Sequence, residues 1–182
     1  MKLAITGTPG VGKSTVSKAL RDRLRERGLS VKYIDLSEVV KREKLYTEKD
    51  ESMDSYVVDF QKLREYLKDL KGDVLILDGH ISHLLDVDYI VVLRCNPRVI
   101  EERLKKRGYS EEKIKENVGA EILDVSLVES LERLKRDNIP VYEIDTTNRS
   151  VDSLVEEIVE GVEKRKVRYG IVDWLEDYFF ML

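Results

Sequence analysis

Residues Gly7-Thr8-Pro9-Gly10-Val11-Gly12-Lys13-Ser14-Thr15 place three glycines, a lysine and two adjacent hydroxyls within one short segment. The spacing is G-x-x-x-x-G-K-[ST], and the chemistry that needs it is the holding of phosphate. Glycines let the backbone curl until successive N–H groups point inward at phosphate oxygens. A helix starting at Lys13 adds its positive end to the same place. Lys13 brings a point charge to the outer phosphates, the Ser14 hydroxyl suits Mg²⁺, and Thr15 reaches an inner phosphate. The glycine-rich backbone, Lys13, Ser14 and Thr15 are therefore the candidate holders of a nucleoside triphosphate.

Such a site needs a second metal-orienting group, an acid at the end of an adjacent strand. Asp78 closes the apolar run Val74-Leu75-Ile76-Leu77 and meets that need. His80 follows in Asp78-Gly79-His80, and both histidines of the chain (His80, His83) fall in this stretch. A histidine titrating near neutrality can orient a water or sense bound phosphates; a loop histidine with no partner fits the spacing equally well. Arg103 and Arg107 sit four apart on one helical face. Phosphoryl transfer spreads negative charge over the moving group, so a mobile arginine is the expected stabiliser. Arg107, beside Gly108, is read in that role, and Arg103 as a solvated charge pairing with Glu101 or Glu102. There is no N-K-x-D, and no D-x-x-G follows the second strand-end Asp, which argues against a GTPase. One Cys and two neighbouring His cannot build a zinc site.

The elements that must position these residues follow from periodicity. Lys2–Thr6 reads as a short strand, and Lys13 to Arg27 as a helix with Val16, Ala19, Leu20 and Leu24 on one face. Val31–Asp35, Asp73–Asp78, Tyr89–Arg94 and Pro140–Asp145 read as further strands. Ser37–Lys44 is helical, whereas Leu45–Val58 shows no periodicity and is expected to be irregular. Phe60, Leu63, Leu67 and Leu70 give helical spacing up to Gly72. Asn96 and Pro97 start a helix as N-cap and first-turn proline. Ser110 is expected to cap one long helix running through Ile114, Val118, Ile122, Val125, Val128 and Leu131, and Ser150 opens the last long one. The aromatic end, Ile171–Leu182, is expected to dock on the core as a short helix. Near-continuous apolar strands alternating with helices specify a parallel sheet covered on both faces.

The 182 residues suit one domain with one core and leave no room for a linker. With 36 acidic and 32 basic residues the net charge is −4, which argues against a dedicated nucleic-acid grip over the whole surface but permits a basic pocket for a small polyanion. The signs are unevenly spread. Residues 1–30 hold seven Lys/Arg against two Asp/Glu, while residues 143–182 hold five against ten. No apolar run approaches the ~20 residues of a membrane span, no signal-like segment opens the chain, and the lone Cys95 fits a reducing compartment. The expectation is a cytoplasmic protein without membrane partners.

Beyond the loop, Asp78–His80 (D-G-H), Val91–Arg94 (V-V-L-R), Arg107–Asn117 (R-G-Y-S-E-E-K-I-K-E-N), Leu45-Tyr46 followed by Asp50-Glu51, and Val172–Glu176 (V-D-W-L-E) closely resemble the adenylate kinase isoenzyme 6 family. The similarity spans essentially the whole chain. It implies an α/β P-loop NTPase fold of the nucleoside monophosphate kinase type, with a five-stranded parallel sheet of order 2-3-1-4-5 and helices on both faces. It also implies the reaction of ATP with AMP to give two ADP, with Mg²⁺, together with a slower ATPase activity. Involvement in small-ribosomal-subunit assembly, with a small-subunit ribosomal protein and a pre-ribosomal particle as partners, belongs to the same expectation. The resemblance places the phosphate ligands on Gly10, Gly12, Lys13, Ser14 and Thr15, the D-x-H motif on Asp78 and His80, and an ATP-contacting base on Arg149. It puts the monophosphate-binding arm at about 30–53 and a short lid at about 106–116, beginning near Arg107. Adenylate kinases hold the AMP phosphate with an arginine on that arm; here the candidate is Lys41 or Arg42, and a lysine cannot make the bidentate contact an arginine makes.

Overall fold

The computed structural model describes residues 1–182. Its centre is a parallel sheet of β1 (Lys2–Thr6), β2 (Val31–Asp35), β5 (Val74–Asp78), β6 (Tyr89–Arg94) and β7 (Val141–Asp145), while β3 (Tyr46–Asp50) and β4 (Ser55–Val58) form a separate antiparallel hairpin. The order across the sheet is β2-β5-β1-β6-β7. Counted along the chain within that sheet, this is the expected 2-3-1-4-5.

Alternation along each strand divides the core into two layers. Leu3 and Ile5 of β1, with Tyr89, Val91 and Leu93 of β6, face one side. There they meet Val16, Leu20 and Leu24 of α1 (Lys13–Glu26), Ile100 and Leu104 of α4 (Pro97–Lys106), Ile114, Val118 and Ile122 of α5 (Glu111–Ile122), and Leu154, Val155, Ile158 and Val159 of α7 (Val151–Glu163). Ala4, Ile90 and Val92 face the other side. They pack on Val39 and Val40 of α2 (Leu36–Arg42), Leu63 and Leu67 of α3 (Phe60–Lys68) and Leu127 of α6 (Val125–Asp137). No helix is long and apolar enough to cross a membrane.

Three sequence expectations change. Residues 46–58 are not irregular. Tyr46 pairs with Val58 and stacks on Tyr56 with ring centroids 4.5 Å apart, and Asp50 closes the turn by accepting from Ser52 and the Met53 N–H. Its strands are short and mostly solvent-facing, so apolar alternation is too weak to register.

The long helix from Ser110 to Leu131 is two. Asp124 takes a left-handed φ of 58°, and its carboxylate accepts from Arg94 Nη2 at 2.5 Å. A tertiary ion pair thus breaks a run whose apolar spacing is continuous. The aromatic end also divides. Trp174 and Tyr178 of α8 (Trp174–Tyr178) pack on the core, while Phe179 and Phe180 are 64% and 58% exposed.

Candidate active site

The first strand ends directly into the phosphate loop, and the parallel register sets Ile5 beside Asp78. This brings the end of β5 against the start of the loop, at the carboxyl edge of the sheet where open α/β folds bind ligands. Gly7 allows the approach. It has φ 144°, and a Cβ there would lie 2.5 Å from the Leu93 carbonyl oxygen. Gly12, with φ 102°, is the N-cap of α1 and offers no side-chain cap, so the first N–H groups of the helix stay free for a ligand.

Lys13 bends back over the loop and donates to the carbonyls of Gly7 at 2.7 Å and Thr8 at 3.1 Å. Burial pushes its pKa down to about 8, against the opposing pull of Asp78 and Glu121. An anion arriving on the loop therefore meets a poorly solvated ammonium. Asp78 is 5% exposed; burial raises its pKa, while the Tyr33 hydroxyl and the Lys13 charge oppose that rise.

Tyr33 was not identified from the sequence. Its hydroxyl donates to Asp78 Oδ2 at 2.5 Å and lies 3.4 Å from Ser14 Oγ. Serine hydroxyl and carboxylate thus both meet the Tyr33 phenol oxygen, and they are an oxygen pair of the kind Mg²⁺ takes when phosphates and waters supply its remaining ligands. The chain gathers no group of three or more His, Cys, Asp or Glu side chains around a single point, and a nucleotide-bound Mg²⁺ requires none.

A cleft of about 670 Å³ opens in front of the loop. The loop side contributes Gly10, Gly12, Lys13, Ser14, Asp78 and His80. Lys41 and the hairpin residues Asp50 and Met53 to Tyr56 form the opposite wall, and Arg107, Tyr109, Lys113 and Asn117 close a third. A larger hollow of about 840 Å³, around Met1, Lys71 and Arg136, lies at the other end of the sheet and touches none of these residues. The loop, the acid and the cations Lys41, Arg107 and Lys113 meet in the smaller space.

The two histidines part company. His83 is 1% exposed and its Nδ1 pairs with Thr6 Oγ1 at 2.7 Å, a structural position beneath the loop. His80 faces the cleft. Crowding by the surrounding walls, then the Lys13 ammonium, lowers its pKa to about 4, which favours the neutral imidazole, while the residue as a whole stays exposed to the cleft solvent.

Among the arginines, Arg107 lines the cleft at the turn between α4 and α5. Arg103 is not the solvated charge expected, because it donates to the Gly10 carbonyl at 2.8 Å and braces the loop from α4. Lys41 lines the cleft, whereas Arg42 spends its guanidinium on Glu38, Glu43 and Tyr66. Arg149 bonds Glu157 and, at 2.6 Å, Ser153 Oγ; it stands outside the cleft lining. Thr15 is exposed in the first turn of α1. Lys113, part of the Arg107–Asn117 segment but given no role of its own there, reaches over the Tyr109 ring at 4.4 Å and donates to the Asp54 carbonyl at 3.3 Å, joining α5 to the hairpin tip across the cleft.

With this geometry in place, the likeness to known proteins has a physical basis. The family model described as "AAA domain" matches residues 3–124, from the first strand through the loop, Asp78 and the Arg107 turn. A protein of Methanocaldococcus jannaschii named "Putative adenylate kinase" is 58% identical over 181 residues, covering 98% of this chain and 96% of its own. One of the same name from Methanococcus maripaludis is 51% identical over 182 residues, covering 100% and 99%.

Among solved structures, shikimate kinase from Bacteroides thetaiotaomicron superposes with a TM-score of 0.55 at 20% identity, over 90% of this chain and 98% of that one. Deoxyadenosine kinase from M. mycoides with bound dATP gives 0.52 at 20% identity, over 90% and 100%. At that identity these two speak for the fold. The loop, the sheet order and the full-length relatives agree: the chain belongs to the AAA-domain family, and within it to the same family as the archaeal proteins named "Putative adenylate kinase".

Proposed function

We propose that the protein is a nucleotide kinase that transfers the γ-phosphoryl group of ATP to AMP, giving two ADP. The observation that carries this reading is the single cleft in which the phosphate loop with Lys13, Ser14 and Asp78 faces a second wall holding Lys41, with Arg107 and Lys113 at its lid side. Two anions brought together there would be held from opposite directions, as transfer between two phosphates requires. The names of the full-length relatives support AMP as acceptor.

In this reading the loop N–H groups and Lys13 hold the ATP phosphates, and Ser14 and Asp78 hold Mg²⁺. The metal, when bound, neutralises charge between the outer phosphates. Arg107 swings over the transferring group, and Lys41 receives the acceptor phosphate. Closure of the turn at residues 106–116 onto the hairpin excludes water, which otherwise competes as acceptor. His80, neutral and in the cleft, orients the water that enters when no acceptor is bound, giving a slower ATPase reaction. The test is a panel of acceptors (AMP, dAMP, GMP, CMP, UMP and shikimate) with ATP, resolved by product chromatography. AMP should dominate; equal turnover of shikimate or of the pyrimidine monophosphates would overturn the assignment.

A second role, in maturation of the small ribosomal subunit, is supported by the C-terminal end. The acidic excess of residues 143–182 and the exposed Phe179 and Phe180 together offer a basic protein both charge and apolar contact. Pull-down against small-subunit proteins at low and high salt tests it; no retention at either salt removes this role.

A further inference from the structure

Resting on the nucleotide-site reading above, we propose that Glu121 of α5 positions the phosphate loop and ties it to the C-terminal tail, so that Trp174 responds to occupancy of the nucleotide site. Glu121 lies outside the cleft, is 2% exposed, and receives donors from three separated parts of the chain. Its Oε2 accepts from Thr8 Oγ1 at 2.7 Å, and its Oε1 accepts from Arg94 Nε at 2.8 Å, the Cys95 N–H at 3.3 Å and Trp174 Nε1 at 3.2 Å. Thr8 is the second residue of the loop. The side chain of Thr8 is therefore held by α5 while its carbonyl is held by Lys13.

The tail is fastened to the same network at a second point. Arg94, 1% exposed, donates to Glu143 Oε2 at 2.8 Å, and the other oxygen of that carboxylate accepts from the Ile171 N–H at 2.8 Å. Beyond Trp174, the Tyr178 hydroxyl meets Asn96 Nδ2 at 2.6 Å, where Asn96 caps α4. No buried polar atom of this cluster is left without a partner, in surroundings where an unpaired polar group is costly, so a shift of one bond bears on its neighbours. When phosphates draw Lys13 from the Gly7 and Thr8 carbonyls, Thr8 is freed on one side only, and its displacement passes through Glu121 to the indole. Glu121 acts through Thr8 and is a positioning residue.

Trp174 is the only tryptophan in the chain, so it reports without interference from another indole. The experiment is an ADP titration of the full chain, followed in parallel by calorimetry and by tryptophan emission. The wild type should show a saturable emission change whose midpoint matches the calorimetric one. Thr8→Val should weaken ADP binding about 10-fold, the loss of a hydrogen bond to a charged acceptor, and should lose most of the emission change at saturation. Thr8→Ser, which keeps the hydroxyl, should restore both. Calorimetric binding without an emission change in the wild type overturns the proposal, as does a Thr8→Val response of full size or a Thr8→Ser that behaves like Thr8→Val. Absence of calorimetric ADP binding in the wild type would instead remove the nucleotide-site reading, and this inference with it.

Discussion

The phenol of Tyr33 donates a 2.5 Å hydrogen bond to the carboxylate of Asp78, joining the middle of β2 to the last residue of β5. The ring is held in place by the flanking charges of Lys18 and Arg21, at 6.0 and 5.8 Å from its centroid. Tyr33→Phe keeps the ring and removes only the donor. Hydrogen bonds to charged groups contribute ~1.5–3 kcal/mol, so kcat/KM should fall about 10-fold or more. The Mg²⁺ concentration for half-maximal rate should rise with it. A Mg²⁺ titration of initial rates checks this, and an unchanged metal requirement would contradict a role for the phenol in orienting Asp78.

Lys13 carries the loop's charge, and Lys13→Ala should lower transfer and hydrolysis alike by about 10²- to 10³-fold. Its pH behaviour is a separate test. With the pKa lowered to about 8, the ammonium that binds phosphate is lost as pH rises through 8, two units below the range of an ordinary lysine. The kcat/KM for ATP should therefore decline above about pH 8, while kcat, measured with phosphates already on the loop, should hold to higher pH. Coincident profiles would contradict this.

His80 should leave no titration in the activity profile. A pKa near 4 keeps it neutral from pH 5 upward, so no acid limb near the ordinary histidine value of about 6.5 is expected. His80→Ala should reduce ATP hydrolysis at least as much as transfer to AMP. Intact ATPase in that variant would remove His80 from water orientation.

Much of this site was legible along the chain, for a specific reason. The phosphate loop and Asp78 are local features: glycine spacing, a strand before, a helix after, and an acid closing an apolar run. Tyr33, Arg103, Lys113 and Glu121 act across distances of 45, 93, 59 and 113 residues to Asp78, Gly10, Asp54 and Thr8. Their partners are set by sheet order and helix packing, which spacing cannot show. The helix break at Asp124 has the same origin, since its cause is Arg94, 30 residues away. Conversely, Arg42 and Arg149 have the right charge in the right segment, yet Glu38, Glu43 and Glu157 take up their guanidinium groups.

The contrast between neighbours on α2 gives a prediction of its own. Lys41→Ala should raise the KM for AMP about 10-fold, with that for ATP little changed, because only Lys41 faces the cleft. Arg42→Ala removes exposed ion pairs of small worth and should change either KM less than about 2-fold. Steady-state kinetics with each substrate varied in turn decides it, and the reverse ranking would move the acceptor phosphate onto Arg42.

Arg103→Ala tests the brace on the loop. Loss of the 2.8 Å bond to the Gly10 carbonyl should loosen the phosphate cradle and raise the KM for ATP by about 5-fold while kcat changes little. A variant indistinguishable from wild type in both constants would return Arg103 to a surface charge.

Incubation of the protein with Mg²⁺, AMP and ATP labelled in its γ-phosphoryl group bears most directly on the assignment as an adenylate kinase. Direct transfer predicts that the label moves into ADP, that two ADP form for each ATP consumed, and that Lys13→Ala slows the movement about 10²- to 10³-fold. Label appearing only in inorganic phosphate, with AMP unchanged, would contradict transfer to AMP and leave the protein an ATPase.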